Sequence, residues 1–217
     1  MPGNDSLSPV MNSLAATSGR RNFLGARNLW PNGEIASETF DGMIDEVRVW
    51  RVARTEEQVR EGAARNFTGR EEGLVGLWNF ENVENGVVKD AGPNGFHGKL
   101  VGHAKTVEAQ LPAAAAPSFS GTQRVLELDG KGSYVELPKM AFTNLTAATV
   151  EGWVKWSRFR NFSRFFDFGA VWKGMAVNNQ GIDNNLTFHL YAPEKQEHFI
   201  RTSGILSSNQ WCHLAAV

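Results

Sequence analysis

Carboxylates, histidines, one cysteine and a loop of interleaved aromatics and arginines are the residues in this sequence whose chemistry could be put to work. Glycoside hydrolysis needs two carboxyl groups about 5–10 Å apart across one cleft. Along a strand, that requires acids at alternate positions, because successive side chains point to opposite faces. Glu127-Leu128-Asp129 begins such a run, but Gly130 and Lys131 end it, and Asp45-Glu46 has the wrong period. The chain is therefore expected not to be an enzyme. The five histidines do not cluster: His97 falls in a turn, and His189, His198 and His213 fall in separate predicted strands. No His/Cys spacing suggests zinc. Cys212 has no neighbour in sequence that would activate it, and reads as a small buried apolar residue.

Calcium suits oxygen ligands in loops, and Asp45, Asp90, Asn94 and Asp129 all lie in or beside turns. For Asp90 and Asp129 the competing reading is local, a carboxylate fixing its own turn through backbone amides. The stretch Trp156-Ser157-Arg158-Phe159-Arg160-Asn161-Phe162-Ser163-Arg164 interleaves aromatics with arginines. Such a loop can stack sugar rings, with arginine as donor or cation–π partner. Trp156, Arg158, Phe159 and Arg160 are its candidate ligand-binding residues. Equally, its aromatics can plug the end of a β-sandwich while the arginines stay wet.

Composition bounds these readings. A formal net charge of −1 gives no general attraction to nucleic acid or anionic lipid. No window is apolar enough to span a membrane, so neither nucleic acid nor direct membrane insertion is expected. The apolar content of 41% with 21% charged residues is that of a globular chain. A single cysteine excludes an internal disulfide framework.

The elements that must position these residues are mostly strands. Asp41-Gly42 opens the stretch Met43–Trp50, with Met43, Asp45, Val47 and Val49 expected on one face and Ile44, Glu46, Arg48 and Trp50 on the other. Further strands are expected at 21–27, 74–81, 87–90, 96–100, 125–130, 133–138, 148–156, 164–169, 186–191, 198–203 and 211–217. Short strands at steady spacing with turn residues between them predict an antiparallel sandwich or jelly roll. One helix interrupts them. Thr55-Glu56-Glu57-Gln58 is a capping box, predicting a short helix over 56–64 that serves as a connector. Pro at both ends of Pro112–Pro117 opposes helix despite four alanines, which predicts a loop.

Several stretches resemble one family in their wording. Gly73-Leu74-Val75-Gly76-Leu77-Trp78-Asn79-Phe80-Glu81 resembles the opening strand of LamG-like jelly-roll domains of the concanavalin A-like lectin/glucanase superfamily. Asp90–Gly98 resembles the family's Asp-x-Ser-Gly-Asn-Gly-x-x-Gly turn. Leu128-Asp129-Gly130 with Tyr134-Val135-Glu136 resembles its "FDG…YVEI" hairpin. Thr149–Lys155 resembles "TIEAWVK", and Trp211–Val217 resembles "WHHVAAV". Phe40–Trp50 resembles the strand that closes such a domain, yet it stands in the first quarter of the chain.

The resemblance implies an all-β, concanavalin A-like antiparallel jelly-roll sandwich, incomplete at its C-terminus, with one short linker helix. It divides the chain into a lead-in (1–19), the last strands of one repeat (20–54), a linker (55–72) and a truncated second domain (73–217). Related domains place structural calcium near where first and last strands meet, which implies Asp45 and Glu81 as metal ligands. The implied function is non-catalytic binding of a glycan or surface protein in a larger extracellular or cell-envelope protein, alongside neighbouring repeats. An architectural spacer without a ligand is the alternative, and an accessory domain of a secreted carbohydrate-active enzyme is a third reading. Residues 73–217 would leave Leu74–Glu81 an open edge, which costs unpaired backbone groups. Residues 21–27 and 40–50 are therefore expected to dock there, with Val47 and Trp50 near Leu77 and Trp78.

Overall fold

A computed structural model describes residues 21–27, 38–112, 121–139, 145–170, 173–191 and 197–217. The expected lead-in and most of the Pro112–Pro117 loop lie outside the described residues. The strands are β1 (Arg21–Leu24), β2 (Asp41–Trp50), β3 (Leu74–Trp78), β4 (Val83–Glu84), β5 (Val87–Val88), β6 (Gly98–Val101), β7 (Lys105–Ala109) and β8 (Gln123–Asp129). They continue as β9 (Tyr134–Leu137), β10 (Thr149–Trp156), β11 (Arg164–Ala170), β12 (Lys173–Asn179), β13 (Leu186–Tyr191), β14 (Glu197–Thr202) and β15 (Cys212–Ala216). β4, β7 and β12 were not anticipated: two residues are too few for a pattern, and Lys173–Asn179 carries two glycine- or asparagine-rich ends that read as loop.

Among the described residues every strand pair is antiparallel. One sheet has nine strands in the order β14-β13-β12-β11-β1-β9-β6-β5-β4, and the other runs β15-β10-β2-β8-β7 with β3 also beside β2. Their facing sides enclose one apolar core that includes Ile44, Val47, Trp78, Phe80, Leu126, Val154, Trp156, Phe166 and Phe168. This is an all-β, concanavalin A-like jelly-roll sandwich.

β2 is the strand around which the smaller sheet is organised. One flank pairs with β10 throughout its length; the other is shared, Asp41–Ile44 with β8 and Val47–Trp50 with β3. Val47 stands opposite Trp78, and Trp50 opposite Leu74, so the expected docking against the Leu74 edge is present. β1 in turn lies between β9 and β11 in the middle of the larger sheet. Both early strands thus supply pairing that β3, β9 and β11 would otherwise lack.

The expected faces of β2 need one correction. Ile44 and Val47 both enter the core, although strict alternation puts them on opposite sides. Glu46 adopts a left-handed φ of 51°, and the register against β10 shifts between Glu151 and Trp153. Such a bulge inserts one residue and resets the alternation. Gly152 faces it: a Cβ there would come 3.2 Å from the Asp45 carbonyl oxygen.

Past the bulge, Arg48 and Trp50 point away from the core and under the helix α1 (Glu56–Ala63). The Thr55 hydroxyl accepts from the Gln58 amide at 3.2 Å, and the Gln58 side chain accepts from the Thr55 amide at 2.9 Å, completing the predicted box. The segment is more than a connector, because the Gly62 carbonyl accepts from Arg48 at 2.9 Å and Phe67 packs on Trp50. Trp78 lies in the core between the sheets. Trp153 is buried on the opposite side of its sheet, with Leu111 and Trp211 rather than between the sheets.

Candidate functional site

β10 runs out of the core at Trp156, and the loop that follows carries the arginines singled out by sequence. Trp156 itself is 1% exposed, packed against Phe40 and Phe159, and its Nε1 donates to Ser163 Oγ at 3.0 Å. Its place is inside the sandwich end, where it fixes the root of the loop. Phe159 is partly buried against the same core. Arg158 is different: its side chain is 69% exposed, and its Nε donates to Asp41 Oδ2 at 2.6 Å. Arg160 lies 3.8 Å from the same oxygen. Asp41 therefore gathers two guanidinium groups at one end of the molecule, with the Gly130 turn against them. A Cβ on Gly130 would meet Arg160 Cδ at 2.7 Å and Asp41 Cβ at 2.9 Å.

The backbone of this loop is held from below. The Asn179 side-chain amide donates to the carbonyls of Arg160 (3.0 Å), Gly181 (2.8 Å) and Asp183 (3.2 Å), and its oxygen accepts from Ser163 Oγ at 2.6 Å. A fully buried amide with all these bonds satisfied specifies one loop conformation. The arginines are consequently presented from a rigid base, which lowers the ordering cost of binding.

Beside that rim, Asp129 anchors its own turn, accepting from the Lys131 amide at 2.8 Å and Ser133 Oγ at 2.6 Å. Partial burial opposes its ionisation, but these bonds and His103 outweigh that and hold its carboxyl down at about 2. Asp90 also fixes its turn, accepting from the amides of Leu77, Gly92 and Phe96. Both are turn-fixing carboxylates.

Asp45, the expected metal ligand, is wholly buried. Its Oδ1 accepts from the Glu46 amide at 2.8 Å, and its Oδ2 has no partner among the described residues. Burial raises its pKa well above the ordinary carboxylate range, and the charges of Glu46 and Glu81 raise it further. Glu81 is thus close enough to be felt, but its Oε1 accepts from the Arg124 amide at 3.1 Å. Among the described residues no group of three or more His, Cys, Asp or Glu is placed to hold a metal. The orphaned Oδ2 is a feature that suits a cation.

A raised carboxyl pKa has a definite stability sign. Between the unfolded value near 3.8 and the raised folded value, the native state binds the extra proton, so stability falls as pH rises through that window. Asp45→Asn removes this dependence. We expect it to be more stable than the parent at neutral pH, because it removes the group that must take up a proton or bear a buried charge in the native state. The gain should vanish towards pH 4. Thermal melts of both proteins across pH 4–8 (a range set by the ordinary carboxylate pKa) check it, and a parent more stable than the variant at neutral pH would contradict it.

Two charged clusters escaped the sequence reading. Under α1, Glu151 receives Trp50 Nε1 at 2.7 Å and Arg54, lies 3.6 Å from Arg48, and faces His213. His213 is depressed to about 3 by burial and by the charges of Arg48 and Arg54, so it is a neutral imidazole rather than an ion-pair partner. Cys212 next to it is pushed up to about 11 by burial, a packed thiol. On the far side of the larger sheet, Arg164 binds Glu38 at 2.9 Å and Asn178, and Asp167 lies 3.8 Å away. There His189 meets Glu197 and stacks parallel to Tyr191 with centroids 5.7 Å apart. These partners are up to 126 residues apart in sequence; only the alternation of β11 and β13 marks them as one face.

The second half of this architecture has a recognised counterpart. Residues 129–217 match the Laminin_G_3 family, described as the concanavalin A-like lectin/glucanases superfamily. Comparisons with curated proteins and with solved structures gave no match. The matched segment holds β9 to β15, including the loop that bears Arg158 and Arg160. Taken with the two antiparallel sheets, the match supports a LamG-like jelly-roll domain of the concanavalin A-like lectin/glucanase superfamily over residues 129–217.

Proposed function

We propose that the protein is a non-catalytic recognition module, and that it takes an acidic glycan or an acidic patch of a surface protein on the Asp41–Arg158–Arg160 rim. The observation that carries this reading is Arg158, whose guanidinium is anchored through Nε while most of the side chain stays exposed. Its terminal nitrogens form the planar fork that matches carboxylate or sulfate. The ligand-binding residues are then Arg158 and Arg160, with Phe159 beside them and Trp156 holding the loop from within. The setting is a larger extracellular or cell-envelope protein with neighbouring LamG-like repeats. Among the described residues no helix is long and apolar enough to cross a membrane.

Glycan-array and titration binding of the intact chain tests this. Arg158→Ala and Arg160→Ala should each weaken binding by about 10- to 100-fold, as losing a charge-assisted hydrogen bond does. Unchanged affinity in both variants, with binding present in the parent, would move the site elsewhere. No binding to any array member would favour the architectural spacer. Melting with calcium and with chelator decides the metal: a bound ion stabilises by linkage, and the difference should disappear in Asp45→Asn.

A further inference from the structure

β14 is the terminal strand of the nine-stranded sheet and pairs, among the described residues, with β13 alone. All six of its residues are exposed, with Phe199 at 55% and Ile200 at 69%. Edge strands usually carry a proline, a bulge or an inward-pointing charge that blocks further pairing. Glu197-His198-Phe199-Ile200-Arg201-Thr202 has no proline and an unbroken register against β13. Phe199 lies opposite His189, and Ile200 opposite Phe188. His189 belongs to the outward side and Phe188 packs against the core, so Glu197, Phe199 and Arg201 share the outer face. Ile200 is on the inner face and forms one lip of an apolar groove of about 220 Å³ between the sheets, with Phe166, Val177, Leu214 and Val217.

The order of charges along this strand is self-complementary. A second β14 laid antiparallel with Phe199 opposite Phe199 puts Glu197 opposite Arg201, and by symmetry Arg201 opposite Glu197. Both ion pairs fall on the outer face and flank an aromatic pair at the two-fold axis. On the inner face Ile200 meets His198. Shifting the register by one residue destroys this, placing Glu197 opposite Thr202 and His198 opposite Arg201. Directly opposed unlike charges and aromatic pairs stabilise an antiparallel ladder, and opposed like charges destabilise it.

We propose that β14 is an interaction surface for a second copy of this chain, joined as a two-fold, antiparallel β14–β14 pair that merges two nine-stranded sheets. The contact is isologous and closes on itself, so it yields a dimer and not a fibre. Arg201 is already poised for it: its guanidinium lies over its own Phe199 ring at 5.2 Å, on the face where the partner's Glu197 would arrive.

Sedimentation of the intact chain at high micromolar concentration tests the proposal. The parent should sediment at twice the chain mass of 23.9 kDa. Glu197→Arg sets an arginine against each Arg201, and Arg201→Glu sets an acid against each Glu197, so each variant alone should be monomeric. Phe199→Lys, which opposes two ammonium groups at the axis, should be monomeric as well. An equimolar mixture of the Glu197→Arg and Arg201→Glu variants should recover the dimer, because every cross-pair is then arginine against glutamate. Recovery cannot come from a misfolded variant. A monomeric parent, single variants that remain dimeric, or a mixture that stays monomeric would each overturn the proposal.

Discussion

Trp78→Ala is expected to destabilise the sandwich by about 3–5 kcal/mol, the range for truncating a fully buried aromatic. Trp78 is 0% exposed and belongs to the core between the sheets. Its Nε1 donates to the Phe96 carbonyl at 2.8 Å, which ties β3 to the Asp90–Gly98 turn. The ring also lies against Gly76, where a Cβ would stand 2.6 Å from its six-membered edge. Alanine leaves a cavity that β3 cannot collapse into, because Val47 and Val49 of β2 hold it in register. It also orphans the Phe96 carbonyl. Chemical denaturation of parent and variant gives the difference, and a shift below 1 kcal/mol, the level of ordinary surface substitutions, would place Trp78 outside the core.

Glu151→Ala should have a similar effect by a different mechanism. The carboxylate is fully buried and is shared by Arg54, Arg48 and the Trp50 indole. Arg48 is itself 0% exposed; Glu46 lies at 3.1 Å, the Gly62 carbonyl accepts from it, and its guanidinium lies over the Phe67 ring at 4.2 Å. Removing one member of a buried ionic group leaves an uncompensated charge, which costs about 3–5 kcal/mol. The intact group is not thereby a large net stabiliser, because its formation cost the desolvation of every charge in it. The prediction separates the two statements: truncating Glu151 alone should be severe, whereas replacing Glu151, Arg48 and Glu46 together by apolar residues of similar volume should be far milder. Equal losses for the single and the triple replacement would show that the network is stabilising in its own right.

The bulge at Glu46 connects these two sites. Without the extra residue, Val47 would sit on the face of Arg48 and leave the core. Because the left-handed turn resets the alternation, one strand feeds Ile44, Val47 and Val49 to the inter-sheet core, and Arg48 and Trp50 to the layer beneath α1. The apolar and ionic layers are therefore built from the same ten residues.

What the sequence determined by itself was whatever depends on neighbours a few positions apart. Alternation and turn residues marked most of the strands, the Thr55–Gln58 box placed the helix start, and the Asp90 and Asp129 turns close through amides within six residues. The LamG-like wording of six stretches marked the fold class for the same reason, since each stretch is one strand, turn or hairpin. The tertiary structure decided the rest. It inserted Phe40–Trp50 between β10, β3 and β8, turned Trp156 inward while leaving Arg158 out, and brought Glu38 to Arg164 and Glu151 to Arg48. Those outcomes rest on pairings distant in sequence, up to 126 residues apart, and no local pattern encodes which surface a side chain will meet. An arginine in an alternating strand reads the same whether a helix later covers it, as at Arg48, or water does, as at Arg201. Burial is a property of the partner surface, and only the closed sandwich supplies that partner.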